Sequence, residues 1–417
     1  SIIRHNLCRG KYKFARRPVL INNWEATYFD FNEEKILSIA RQASELGIEM
    51  LVLDDGWFGS RDSDNAGLGD WFVNTDKLKG GLTDLVTGIN GLGMKFGIWI
   101  EPEMVNEDSR LYREHPDWAL TIPGRKPCRS RNQLVLDMSR SEVRDYVFDS
   151  IAAVLKSANV EYVKWDMNRS ICDVYSAVLP KERQGEVYHR YVLGIYDLME
   201  RFTSSFPNIL FEGCSGGGGR FDPAILYYSP QIWCSDDTDG IERLEIQYGT
   251  SFFYPISAVG SHVSAIPNHQ TGRRTPLATR GVVAMAGSFG YEMDLNLLTE
   301  DEKEAVKAQV EDYKKYYDLI HNGDYYRLAS PQGDSGFTAW QFVSGDKTRT
   351  LLNLVITHVR ANAPDLWFKL RGLDPEKRYR LEENGRIYSG SALMNAGISI
   401  PMIMGDYPAV QMVLTEV

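Results

Sequence analysis

The 417-residue sequence has little of what marks several large protein classes. No apolar run approaches the roughly 18 residues that a membrane-spanning helix needs. There is no basic stripe: 46 Lys and Arg stand against 56 Asp and Glu, a net charge of −10. An acidic chain repels nucleic acid and anionic membranes, so neither is expected as a partner. The seven His form no HExxH and no His-x-His pair, so no metal site is expected. No Gly-Lys-Ser/Thr follows Gly216–Gly219, so that run is not a phosphate loop. The five cysteines, Cys8, Cys128, Cys172, Cys214 and Cys234, are odd in number and scattered, without a CxxC pair. They read as reduced thiols of an intracellular, cytoplasmic protein, not as a disulfide framework. Ser1-Ile2-Ile3-Arg4-His5 is not a signal peptide and carries no initiator Met. No internal repeat or low-complexity tract is present.

What is present is an alternation. At 43% hydrophobic and 24% charged residues the chain has the composition of a globular protein with a sizeable core. From about residue 18 to 322, short apolar runs alternate with amphipathic stretches, the pattern of a parallel α/β fold. The predicted strands are Val19–Trp24, Met50–Asp55, Lys95–Glu101, Tyr162–Asp166, Leu210–Gly213, Ile232–Asp236, Ile256–Ser261 and Phe289–Asp294. Eight such units predict a (β/α)8 barrel. Helices are predicted to open at Asn32-Glu33-Glu34 and at Ser141-Glu142-Val143, and a long charged one spans Glu300 to about Ile320. Beyond Asn322-Gly323 the texture is β-rich, without helical periodicity. The expected domains are therefore a barrel over 1–323 and an antiparallel β-sandwich over 324–417.

In such a barrel, reactive side chains gather at the C-terminal ends of the strands. Asp54-Asp55, Trp99 with Glu101, Lys164 with Asp166, Glu212 with Cys214, and Asp236 all end apolar strands. A single Asp there is more often a helix cap or a turn residue. Acids at several strand ends, interleaved with Trp, Lys and Asn, make that explanation weaker for the set. Glycoside hydrolysis needs this composition: one carboxylate to attack, a second to protonate the departing oxygen, and aromatic faces to bind the sugar ring. It generally needs no cofactor.

The stretches PVLINNWE (18–25), LVLDDGWF (51–58), GIWIEPEMV (97–105), YVKWDMNR (162–169), EGCSGGGGR (212–220), WCSDDTD (233–239) and HVSAIPNHQTGR (262–273) resemble glycoside hydrolase family 36, in particular its bacterial α-galactosidases. The resemblance runs along essentially the whole chain, in order. It implies a retaining α-galactosidase that cleaves terminal α-1,6-linked galactose from oligosaccharides such as melibiose and raffinose. It implies Asp166 as nucleophile and Asp236 as acid/base. Asp54 and Asp55 would accept from sugar hydroxyls, Lys164 and Asn168 would flank the nucleophile, and Arg131 would add a polar contact. Trp24 and Trp99 would wall the pocket, with Cys214 and the glycines after it, Gly217 among them, near the 2-hydroxyl. Alternation sends residues 164, 166 and 168 to one side, while Trp165 and Met167 face the other. A cation two residues from Asp166 favours its ionised form. Retention predicts carboxyl groups roughly 5–5.5 Å apart.

Alternatives stay open at several positions. Asp166 also fits an Asp paired with Lys164, and Asp237 or Asp239 fits the acid/base role or a cap of the next helix. Trp24 and Trp99 also fit barrel packing, and Cys214 a small buried residue. The family motif usually reads Ser-Asp-Asn-Thr-Asp, and Asp237 replaces its Asn. Relatives carry an N-terminal β-domain ahead of the barrel, and the resemblance starts after it. A galacto-oligosaccharide substrate and a homo-oligomer are implied, a tetramer in relatives with that domain. A galactosyltransferase resembling raffinose synthase, or a sugar-binding module without catalysis, are the competing functions.

Overall fold

The computed structural model describes residues 2–333, 335–400 and 403–417. The chain divides into two compact units, Ser1–Asp236 with Glu292–Leu297, and Asp237–Tyr291 with Leu298–Val417. Eight strands close into a barrel: β1 Leu20–Asn22, β2 Met50–Leu53, β3 Lys95–Ile100, β4 Tyr162–Trp165, β5 Leu210–Gly213, β6 Gln231–Trp233, β7 Val259–Ser264 and β8 Ser288–Glu292. Neighbours follow chain order around the ring. The pairs from β1 to β6 are parallel, with Leu20 facing Met50, Leu51 facing Phe96, Ile98 facing Val163 and Val163 facing Phe211. Strands covered on both faces are buried along their length, which is why they read as continuous apolar runs.

The predicted strands are present with shifted ends. Trp24 lies outside β1, opening the helical turn Trp24–Thr27, because the Asn22 side chain takes its N–H. Ile256–Ala258 form a 3-10 turn behind Pro255, so β7 starts at Val259. β6 stops at Trp233, leaving Asp236 on the loop that follows. Asn32 caps the helix α1, Glu33–Glu45, by accepting the Lys35 N–H at 3.0 Å, and Ile36, Ile39, Ala40 and Ala43 form its buried stripe. The helix α2, Ser141–Ser157, spans the predicted residues.

In the second unit, the helix α3, Glu300–Asn322, starts from a capping box between Thr299 and Glu302. The strands after it are β9 Asp324–Ala329, β10 Phe337–Val343, β11 Arg349–Ile356, β12 Leu366–Phe368, β13 Arg378–Leu381, β14 Ile387–Ser389, β15 Ile398–Ile400 and β16 Ala409–Glu416. Six make one sheet, in the order β9-β10-β11-β16-β13-β14, and β12 pairs with β15 in a second. Leu352, Leu354, Tyr379, Leu381 and Leu414 from the first sheet share a core with Phe368, Ile398 and Ile400 from the second. This is the expected antiparallel β-sandwich. One short helix, Gly390–Asn395, capped by Ser389, lies between these strands.

Candidate active site

Asp166 follows the last residue of β4 and is 6% exposed. Its own N–H donates to the Ile100 carbonyl at 2.8 Å, which pins it to the end of β3. Its Oδ1 accepts from the Met167 N–H at 2.8 Å and the Gly216 N–H at 3.3 Å. Its Oδ2 accepts from Asn168 Nδ2 at 2.7 Å and from the Trp99 indole at 3.1 Å. The Cys214 thiol also bonds to it, and burial and the Asp166 charge hold that thiol well above its ordinary value. Both carboxylate oxygens are thus oriented by groups from three strand ends.

Asp236 is in different surroundings. It is solvent-exposed, and its Oδ1 accepts the Trp233 indole N–H at 3.0 Å. Desolvation by the surrounding protein raises its carboxyl above the ordinary range, and the charges of Asp166 and Glu292 add to that. Lys164 and Arg131 oppose the rise. Although the side chain is exposed by area, protein surrounds it closely enough for burial to lead.

Lys164 does not pair with Asp166. Its ammonium meets Asp54 Oδ2 at 2.9 Å and lies 5.7 Å from the Trp233 ring centroid. Burial alone would lower it, but Asp54 and the other nearby negative groups outweigh that and hold it well above its usual value. Asp54 Oδ2 also accepts from Asn22 at 2.6 Å, and its Oδ1 accepts the Asp55 N–H. Asp55 turns the other way: Arg61 grips its carboxylate through Nε at 3.0 Å and Nη2 at 2.8 Å, with both side chains buried. Burial raises the Asp55 carboxyl and Arg61 counters it.

The remaining positions are spread around this centre. Trp99 is 2% exposed and stacks on Phe58 at 6.1 Å. Trp24 is half-buried and meets Tyr28 and Phe29 edge-on. Arg131 is exposed, 3.8 Å from Asp64, in a left-handed backbone conformation with φ 51°. Gly217 takes a positive φ of 80°. A Cβ there would stand 2.6 Å from both the Asp236 nitrogen and the Ser235 Cα. The close approach is to the backbone carrying Asp236. Ser215 Oγ ties the same loop to the Met167 carbonyl at 2.9 Å.

In the second unit, Asp239 is fully engaged. It accepts from the Ile241 and Glu242 N–H groups at the start of helix Glu242–Thr250, and from Thr271 and Arg273. Asp237 Oδ1 accepts the Asp239 N–H at 3.0 Å. Asp239 thus holds the turn that leads into this helix.

Three residues make contacts that sequence reasoning did not assign to them. Glu101, 0% exposed, accepts the Asn168 N–H at 2.6 Å; burial and the Asp166 charge push its carboxyl up to about 8. Gly216 donates to Asp166, and Arg61 neutralises Asp55. Glu101 was visible as a strand-end acid inside GIWIEPEMV. Nothing local in the sequence marks Arg61. Among the described residues, no group of three or more His, Cys, Asp or Glu is arranged to hold a metal ion, and no helix is long and apolar enough to cross a membrane.

Known proteins resemble this chain along its length. The melibiase family model matches residues 1–323, and the glycosyl hydrolase family 36 C-terminal domain model matches 337–414. The bifunctional alpha-galactosidase/sucrose kinase AgaSK of Mediterraneibacter gnavus is 56% identical over 100% of this chain and 44% of its own length. Alpha-galactosidase AgaA of Geobacillus stearothermophilus is 55% identical over 98% of this chain and 56% of its own. The AgaA crystal structure superposes with a TM-score of 0.98 over 100% of this chain and 57% of that one, at 54% identity. A variant of AgaA has been solved in complex with raffinose, and it also superposes at 0.98, with 53% identity over 100% of this chain and 58% of that one. The chain spans about half the length of the curated relatives it matches. On these matches, which run from one end of the barrel and sandwich to the other, the chain belongs to glycoside hydrolase family 36.

Proposed function

We propose that this chain is the catalytic portion of a retaining α-galactosidase. The observation that carries the reading is the contrast between two carboxyls. Asp166 is oriented on both oxygens by N–H donors, as an attacking group requires, while Asp236 is raised by the surrounding protein and by Asp166. An acid raised in this way beside an oriented carboxylate divides the roles of acid and nucleophile.

In the first step Asp166 attacks the anomeric carbon, the glycosidic C–O bond breaks, and Asp236 gives its proton to the departing oxygen. In the second, water attacks the galactosyl ester, Asp236 takes a water proton, and Asp166 leaves as carboxylate. Asp54, with Lys164 at its side, receives sugar hydroxyls, and Asn168 and Cys214 hold Asp166. Trp24 and Trp99 supply apolar walls, and Arg131 a cation at the mouth. Asp55, with Arg61, completes the hydroxyl-reading edge, and Gly217 holds the Asp236 loop in place. No cofactor takes part.

Residues 1–323 act as the catalytic barrel and 324–417 as the β-sandwich domain. The substrates are galacto-oligosaccharides with a terminal α-1,6-linked galactose, of the melibiose and raffinose type. The protein works in the cytoplasm as a homo-oligomer, with no nucleic-acid or membrane partner. Hydrolysis of p-nitrophenyl α-galactoside followed by proton NMR tests the reaction. The α-anomer of galactose should form first. Initial β-galactose, or no turnover by folded protein, overturns the reading. With sucrose present, free galactose should predominate over a trisaccharide product; the reverse outcome makes the chain a galactosyltransferase.

A further inference from the structure

We infer that Glu101 and Glu103, the two acids of Glu101-Pro102-Glu103, are positioning residues that grip the chain on either side of Asp166. Trp165 precedes Asp166, and its indole N–H donates to Glu103 Oε1 at 2.9 Å. Asn168 follows, and its backbone N–H donates to Glu101 Oε1 at 2.6 Å. The same Asn168 supplies its side-chain amide to Asp166 at 2.7 Å. Both acids are 0% exposed, so neither reaches substrate. They act through the residues they hold.

Their second contacts extend the grip. Glu103 also accepts the Tyr191 hydroxyl at 2.6 Å and forms an ion pair with Arg220 at 2.8 Å, just past the glycine run. Glu101 also accepts Gln133 Nε2 at 3.1 Å. The two acids differ in their surroundings. Glu103 is a buried carboxylate with a guanidinium partner, and a buried charge left without its partner is costly. Glu101 has only neutral hydrogen-bond partners, and the charges that face it are Asp166, Asp55 and, opposing them, Arg61. Burial and Asp166 push it to about 8, so it holds a proton at neutral pH. The amide oxygen of Gln133 is buried without a partner.

This gives the two positions opposite responses to the same isosteric change. Glu101→Gln keeps the acceptor for Asn168, and with the Gln133 amide turned over its new N–H meets the Gln133 amide oxygen. Glu103→Gln leaves the part-buried Arg220 guanidinium without its counter-charge. The inference rests on Asp166 being the nucleophile, so Asp166→Ala is measured in parallel.

The test is kcat and KM on p-nitrophenyl α-galactoside, with thermal unfolding of each variant. Glu101→Ala should lower kcat about 100-fold, the loss typical of a small misplacement of a reacting group, with KM within about three-fold. Glu101→Gln should stay within about five-fold of the parent, while Glu103→Gln should lose about as much as Glu103→Ala. Glu101→Ala at near-parent kcat overturns the inference, as does Glu101→Gln as poor as the alanine variant. If Glu101→Ala does not fold, Glu101→Gln decides alone, and a loss beyond about 50-fold overturns it. An active Asp166→Ala overturns the nucleophile reading itself. An inactive Asp166→Ala beside an active Glu101→Ala overturns only the grip.

Discussion

The charges that act on Asp236 have identifiable sources, and each can be removed by itself. Arg131 lowers the Asp236 carboxyl from an exposed position across the pocket. Replacing it by Gln removes a cation that favours the carboxylate, so the Asp236 value rises. The reaction needs Asp236 protonated, so the falling alkaline limb of kcat/KM should move to higher pH, by less than about one unit because Arg131 is screened by solvent. Asp237, the residue that departs from the family motif, should behave differently. Its carboxylate serves as an acceptor for the Asp239 N–H, a task an Asn oxygen performs equally well. Asp237→Asn should leave the alkaline limb within about 0.3 pH unit of the parent. A pH–rate profile of each variant checks both expectations. At this scale the sequence showed which residue types stand at strand ends, but not which of them meet. Alternation put Lys164 and Asp166 on one side, yet Lys164 pairs with Asp54, 110 positions away. Period-2 reasoning gives a face, and a partner on another strand depends on register.

Elements carry the site through their ends. The Gly216–Gly219 run is explained by the loop beneath Asp236. Besides the Gly217 contact, a Cβ on Gly218 would stand 2.4 Å from the Cys234 carbonyl oxygen. Gly217→Ala should therefore shift Asp236 and lower kcat about 100-fold, with a drop in melting temperature as well because φ is positive there. Steady-state kinetics and thermal unfolding read the two effects.

The end of β3 makes a pH-dependent contribution. The Glu101 value of about 8 in the folded protein lies above its ordinary 4.5. A raised acid binds its proton more tightly folded than unfolded. Its contribution to stability is complete below 4.5, is lost progressively as pH rises, and is gone above 8. Denaturant titrations at several pH values should show Glu101→Gln gaining on the parent between those limits and holding a constant margin above them. The elements themselves were readable in sequence because their burial is regular: the strands are apolar throughout and α1 keeps its stripe at helical spacing. The ends were less readable. The Trp24 turn, the 3-10 turn before β7 and the six-residue helix Gly390–Asn395 are too short to show a period, and they depend on single caps or a proline.

Across the whole molecule, barrel and β-sandwich were both legible, since a switch from alternating strands and helices to strands alone needs no contact information. The division into compact units was not. It cuts the chain at Asp236/Asp237 and again around Glu292–Leu297, positions without a linker composition. The sandwich core has its own test. Leu354, 0% exposed within that core, should cost about 2–5 kcal/mol on replacement by Ala, measured by urea unfolding, and leave KM unchanged because it belongs to no part of the site.

The central claim is that Asp166 forms a covalent bond to galactose. Incubation with 5-fluoro-α-galactosyl fluoride, which slows release of the sugar, followed by peptide mass mapping, tests it directly. The account predicts one added fluorogalactosyl mass on the peptide that contains Tyr162–Arg169, located at Asp166. A label at Asp236 or Glu101, or turnover of galactosides with no labelled peptide, would contradict it.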